Sequence, residues 1–261
     1  PGARLAGAPP VLELPLDRPR PSVRGAEGGS VELALSASTV EGVSTLARAL
    51  GATPFMVLLA AWKLLLARYA EERDVVVGTP IAGRRSAELE GLIGFFVNTL
   101  VLRTDVGGDP TFRELVGRVK ETSLGAFAHQ DVPFEKLVDE LQTTRSVSHT
   151  PIFQVMFVYQ NQSLDSGFNW SGVGVEALDS STGMAKFDVT WELAERDGQL
   201  SGNIEYATDL FEAETIAKMV THFLQLLDQV LAQPHCPIEQ LNKLTKEESV
   251  QLLETFNATD Q

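Results

Sequence analysis

The chain has 261 residues, of which 44% are hydrophobic, enough apolar side chain for a packed core in one large domain or two small ones. Its 35 acidic residues outnumber 21 basic ones, and the formal net charge of -14 opposes the phosphate backbone, so no nucleic acid partner is expected. One cysteine, Cys236, excludes an internal disulfide and a thiolate metal cluster, which fits a reducing compartment and makes the cytoplasm the expected location.

The first residues, PGARLAGAPPVLELPLDRPRP, lack an initiator methionine and a signal-type apolar core, so the sequence reads as starting inside a longer polypeptide. Prolines and glycines from Val11 to Gly29 describe an extended surface strap, stiffened at Pro19 and Pro21. Val31, Leu33 and Leu35 alternate with Glu32 and Ala34, the period of a strand with one buried face. Either Ser38 or Thr39 then caps a helix with apolar positions Val40, Val43, Leu46, Ala47 and Leu50, and Gly51 stops it. A second helix opens at Thr53-Pro54 and is apolar on nearly every face. Phe55 to Tyr69 contains Lys63 and Arg68 and falls short of the about 20 apolar residues a bilayer span requires. It reads as a buried helix, and no membrane is expected.

DVVVGTPIAGR, Asp74 to Arg84, is a β-branched run broken by Gly-Thr-Pro, a buried strand delivering a loop. In GLIGFFVNTLVLR, Gly91 to Arg103, the positions Val97, Thr99, Val101 alternate with Asn98, Leu100, Leu102, which predicts another strand. Helices are predicted at Thr111 to Ala128, Pro133 to Leu141 and Ala213 to Ala232. Strands are predicted at Phe153 to Tyr159, Gly174 to Leu178, Phe187 to Ala194 and Gln199 to Tyr206, the last two joined by a hairpin turn at ERDGQ. Lys246 to Phe256 reads as a short charged helix. The order predicts an α/β fold with a mixed sheet flanked by helices. No glycine-rich phosphate loop follows any strand, since neither GxGxxG nor GxxxxGK[ST] occurs.

The four histidines, His129, His149, His222 and His235, lie far apart without metal-ligand spacing, so no metal site is expected. His222 and His235 read as surface or partly packed residues. His129 and Asp131 precede a predicted helix and pose a choice between a base with its orienting carboxylate and a turn. Asp131 stands before Val132-Pro133, where a short acidic side chain suits the orphan amides of the first turn, so the cap reading is preferred. No GxSxG elbow occurs, and Ser201 sits in the predicted hairpin. Paired carboxylates such as Glu88 and Glu90 read as solvated surface charge.

Four blocks in order, GTPIAGR at Gly78 to Arg84, IGFFVNTLVLR at Ile93 to Arg103, HQDVPFEKLVDEL at His129 to Leu141 and PIFQVMFVYQN at Pro151 to Asn161, resemble the condensation domains of nonribosomal peptide synthetases. LELPLDRPRP resembles the segment joining the two lobes of such a domain, and LTKEESVQLLETFNATD the linker toward an adenylation domain. The resemblance implies a chloramphenicol acetyltransferase-like lobe with extended crossover strands. It also implies a division into a connecting segment (1–28), a carboxy-terminal lobe (29–243) and a linker (244–261). The activity implied is peptide bond formation between aminoacyl or peptidyl thioesters on donor and acceptor peptidyl carrier proteins. Each substrate rides on a 4'-phosphopantetheine arm, and no cofactor binds directly. The family's His-His-x-x-x-Asp-Gly block is absent, so the catalytic histidine is expected in a separate amino-terminal lobe and no catalytic residue in this chain.

Within that resemblance, Arg84 corresponds to the arginine that pairs with the aspartate of the histidine block, with Arg85 as competitor. Asn98 and Thr99 are expected to face the tunnel and hydrogen-bond the pantetheine or acyl group. Ser181 and Thr182, in SSTGMAKFDVTWEL, resemble the crossover region and are further tunnel candidates. His129 falls outside the catalytic block, which favours organisation over proton transfer. Two alternatives are a docking module that binds carrier or adenylation domains without chemistry, and a lobe of an epimerising or cyclising relative.

Overall fold

A computed structural model describes residues 2–84, 87–141, 146–160, 182–196, 199–242 and 248. The predicted strand at Gly174 to Leu178 and, apart from Glu248, the predicted helix at Lys246 to Phe256 lie outside these residues. The order is α1 (Gly2–Leu5), β1 (Gly28–Leu35), α2 (Ala37–Ala49), α3 (Pro54–Ala70), β2 (Asp74–Ile81), α4 (Ala87–Glu90), β3 (Asn98–Asp105), α5 (Phe112–Phe127), α6 (Phe134–Glu140), β4 (Val155–Gln160), β5 (Val189–Arg196), β6 (Gln199–Ala207) and α7 (Ala213–Ala232). The six strands form one mixed sheet in the order β1-β6-β5-β4-β2-β3. The β5/β4 and β4/β2 pairs are parallel and the others antiparallel. No single helix among the described residues is long and apolar enough to cross a membrane.

Alternation along the strands sorts the side chains to the two faces. Leu33, Val75, Val77, Leu100, Leu102, Val155, Phe157, Trp191 and Ile204 are buried against α2, α3, α5 and α7. Helix α3 runs through this layer and is buried from Met56 to Ala67, as its all-round apolarity predicts. Its Trp62 ring lies 4.3 Å from that of Trp191, which lies 4.4 Å from Phe223 of α7. Neither indole N–H has an acceptor among the described residues. Lys63 is fully buried in the same helix, its Nζ donating to Leu102 O at 2.6 Å, Thr104 Oγ1 at 2.8 Å and Val75 O at 3.3 Å. Burial lowers its pKa to about 7, partly offset by the Asp74 carboxylate.

The opposite face has a smaller core confined to the β4-β2-β3 half, made by Leu5 of α1, Leu137 of α6, Ile152, Phe153, Val76, Val101 and Met156. Gly78 of β2 is required here, because a Cβ would stand 2.2 Å from the Phe153 ring. The expected break at Gly-Thr-Pro is therefore not a break: β2 continues to Ile81, paired with Asn98.

The strap expected at the start of the chain is present and tied down by side chains. Arg103 grips both Asp74 oxygens and donates to the carbonyls of Arg4, Ala6 and Gly7. Gln154 accepts from Leu12 N at 2.9 Å and donates to Pro10 O at 3.1 Å and Thr150 O at 2.9 Å. Further along, Arg20 forms a bidentate pair with the buried Asp188. Asp17 accepts from Glu212 N at 2.8 Å and Thr215 Oγ1 at 2.9 Å, so the strap caps the closing helix. Helix α2 begins earlier than the sequence suggests. Its cap is Ser36, which accepts from Thr39 N, rather than Ser38 or Thr39 itself.

Candidate functional site

Strands β2 and β3 meet at one rim of the sheet, where the segment between them turns over the end of the lobe. Gly83 adopts a left-handed φ of 64°, and a Cβ there would lie 1.9 Å from Phe96 O. Arg84 Nη1 donates to the carbonyl of Leu89, to Leu92 O at 2.8 Å and to Glu90 O at 3.3 Å, closing the end of α4. Its guanidinium also lies 4.3 Å from the centre of the Phe96 ring. Within this chain, then, Arg84 staples its own loop. On the outside of that loop Leu92, Ile93, Phe95 and Val97 are exposed, Ile93 and Phe95 almost completely.

Asn98 opens β3 and joins this rim to the HQDVPFE segment. Its Nδ2 donates to Gln130 O and Val132 O, both at 2.8 Å. Its Oδ1 accepts from Thr99 N at 2.9 Å and Phe134 N at 3.2 Å. A carboxamide has two donors and two acceptor lone pairs, and all are engaged by protein backbone. Asn98 is thus a strut rather than an open donor toward pantetheine. It also corrects the reading of Asp131 as helix cap: α6 starts after Pro133 without a side-chain cap at that position, and the Phe134 amide is met by Asn98 instead. His129 is exposed, with Nδ1 2.9 Å from Gly125 O, an organising contact at the end of α5. The carbonyl can only accept, so Nδ1 carries the proton.

Two cavities adjoin this strut. An open one of about 500 Å³ lies between Phe95, Phe96, Val97 and Asn98 on one side and Gln130, Asp131, Pro133 and Phe134 on the other, with Gly83, Thr99 and Glu135 completing it. A narrower one of about 230 Å³ lies over β3, walled by Leu5, Leu100, Val101, Ala126, Val132 and Leu137, with Arg4, Arg103, Thr122 and His129 among its polar lining. Thr99 borders both. Unlike Asn98, its hydroxyl makes no hydrogen bond among the described residues, and it is available to a ligand. Thr182 is exposed and lines neither cavity, lying where residues 183–185 meet the end of the strap. Ser181 and Arg85 fall outside the described residues.

Elsewhere, Tyr69 Oη lies 2.5 Å from His222 Nδ1, and His222 Nε2 lies 2.9 Å from both carboxylate oxygens of Glu248. Burial first, then Glu248, pushes the Tyr69 phenol up to about 12. His222 is nearly inaccessible, more deeply packed than its sequence position suggests, and this Tyr-His-Glu array borders neither cavity. No group of three or more His, Cys, Asp and Glu among the described residues could hold a metal ion.

The family model described as the condensation domain matches residues 3–253. The chain belongs to the condensation domain family. A linear gramicidin synthase of Brevibacillus parabrevis is 46% identical over 259 residues, which are 98% of this chain and 3% of the synthase. Among solved structures, a four-domain nonribosomal peptide synthetase bound to AMP and glycine has a TM-score of 0.88 and 27% identity over 95% of this chain and 20% of its own. The X-domain in complex with OxyB from teicoplanin biosynthesis has a TM-score of 0.85 and 31% identity, covering 94% of this chain and 54% of its own. This condensation domain chain thus spans a small part of its curated relative and about half of that X-domain chain. The six-stranded mixed sheet with its helices is the chloramphenicol acetyltransferase-like fold of condensation domains.

Three features of this condensation domain rim escape a reading of the sequence alone. The Arg84–Phe96 stack joins residues twelve positions apart across a turn, and the only sequence signal is the glycine before the arginine. The division of labour between Asn98 and Thr99 depends on which carbonyls approach from the HQDVPFE segment. The narrow cavity needs α1, β3, α5 and α6 together, and no periodicity in one segment announces it.

Proposed function

We propose that this chain is the carboxy-terminal lobe, 29–243, of a domain that forms peptide bonds between carrier-bound thioesters in nonribosomal peptide synthesis. The strap, 1–28, is the inter-lobe connector, and 244–261 leads toward an adenylation domain. The observation that carries the reading is the rim where β2 and β3 meet: an open cavity beside an uncommitted Thr99 hydroxyl, flanked by exposed Leu92, Ile93 and Phe95. Apolar surface of this kind fits a partner surface, and similarity to the linear gramicidin synthase over 98% of the chain supports the assignment.

In this reading the reactive centre lies between two lobes. Donor and acceptor peptidyl carrier proteins each deliver a 4'-phosphopantetheine arm, and the acceptor amine nitrogen attacks the donor thioester carbonyl. The C–N bond forms, the C–S bond breaks, the nitrogen loses its proton and the donor thiol is released. The amino-terminal lobe supplies the histidine. This lobe contributes positioning: Thr99 as a hydrogen-bonding group, Asn98 as the strut behind it, and Arg84 as the staple of the loop that meets the other lobe, with the exposed Thr182 and with Ser181 on the crossover side. Mass spectrometry of donor and acceptor aminoacyl carriers incubated with the purified chain should detect dipeptide only when the amino-terminal lobe is added. Dipeptide formation by the chain alone would overturn the reading.

A second reading, a docking module without chemistry, is favoured by the 31% identical X-domain, which is found in complex with OxyB. Under it the chain binds a phosphopantetheinylated carrier protein, and adding the other lobe yields no dipeptide.

A further inference from the structure

We propose that the narrow cavity behind Thr99 is a side-chain subsite, taking a hydrocarbon side chain of leucine size from a carrier-tethered aminoacyl group. The inference rests on the proposed function for its substrate and goes beyond it in assigning selectivity to this lobe. Volume limits the occupant. A dry apolar cavity of about 150 Å³ accepts benzene, whereas drug-sized ligands need about 300 Å³ or more. At about 230 Å³ this cavity has room for a branched aliphatic or phenyl group and not for a pantetheine arm.

The lining sets the chemistry. Leu5, Leu100, Val101, Ala126, Val132 and Leu137 offer apolar walls. The nearby cations do not make it an anion site: Arg103 is committed to Asp74 and to three strap carbonyls, and Arg4 faces Glu121 at 3.4 Å. An amphiphile with a charged head therefore finds no open partner, while a neutral side chain does. Continuity supplies the entrance. Thr99 borders both cavities, so a thioester held in the open one can direct its side chain past Thr99 into the narrow one. The unengaged hydroxyl at that junction suits the polar backbone of the aminoacyl group, which must stop where the side chain enters.

The test uses the chain itself with N-acetylcysteamine thioesters of leucine and glycine, their binding measured by calorimetry. The leucyl thioester should bind about tenfold or more tightly than the glycyl one, the gain expected for burying an isobutyl group. Ala126→Leu, which fills the cavity, should erase that difference and leave glycyl binding unchanged. Thr99→Val, which keeps the shape and removes the hydroxyl, should weaken both thioesters alike. In the wild-type chain, nuclear Overhauser contacts should join the leucyl methyls to Val101 and Leu137, a readout that needs no variant to fold. Equal binding of the two thioesters, a preference that survives Ala126→Leu, or methyl contacts elsewhere overturns the subsite and leaves the proposed function standing. Failure of both thioesters to bind overturns the subsite and counts against the proposed function as well.

Discussion

The two faces of the sheet are held by different kinds of contact. Beneath α2, α3, α5 and α7, cohesion comes from volume: Trp62, Trp191 and Phe223 fill the centre, and the indole N–H groups have no acceptors among the described residues. Around the other face and its rim, single polar side chains each gather several backbone groups, Asn98 four, Gln154 three, and Arg84 the carbonyls that end α4. The first arrangement tolerates a change in chemistry better than a change in size, and the second the reverse. The contrast explains why the candidate site lies on the second side. A cavity wall must keep its shape with open space next to it, and directional hydrogen bonds can do this where packing cannot.

The largest test of the contrast is Trp191→Ala, which should destabilise the fold by about 3–5 kcal/mol in chemical denaturation. Trp191→Phe should retain most of that stability, because the lost N–H has no acceptor among the described residues. A comparable loss in Trp191→Phe would mean that the helical side also depends on hydrogen bonds.

Lys63 is the exception on the helical side, and pH should reveal it. Its folded pKa of about 7 lies below the ordinary lysine value of 10.5. Between these values the unfolded chain holds the proton that the folded chain releases, so the Lys63 contribution to stability rises with pH and is fully lost below about 7. The swing is at most a few kcal/mol. Denaturant midpoints of wild type and Lys63→Met should diverge with pH across this window. Parallel profiles would show that Lys63 keeps an ordinary pKa.

Next is Asn98→Ala, expected to lower stability by about 2 kcal/mol, since several half-buried backbone groups lose their partner. Asn98→Asp should recover little, because a carboxylate cannot donate to Gln130 O and Val132 O. Hydrogen exchange should accelerate in α6 while α3 stays protected; uniform acceleration would make Asn98 part of the main core. The smallest effect belongs to Glu121→Ala. This breaks an exposed pair with Arg4 and should shift stability by less than about 0.5 kcal/mol.

The same division decides what is legible in the sequence. Helix α3, the alternation of β3 and the β5/β6 hairpin follow from local pattern, because burial on the helical side repeats with the period of each element. The sheet order does not, since β1 and β6 pair across more than 160 residues without a shared motif. At the site, the residue blocks point to Arg84, Asn98 and Thr99, but their roles depend on partners in other segments. Asp131 has the side chain and position of a cap, yet the amide of Phe134 is met by Asn98, 36 residues away, which the register of β3 carries there. Propensity identifies which residues can cap; tertiary placement decides which one does.

The contact of Asp17 with the start of α7 spans 195 residues. Such a closure cannot form early on a chain emerging from the ribosome, because its two halves are made far apart in time and ring closure over that length is entropically disfavoured. Helix α7 must therefore pack on α3 before its first turn is finished, and fastening the strap belongs to the last stage of maturation. Substitution at Asp17 should consequently change how fast the finished lobe opens far more than how fast it assembles.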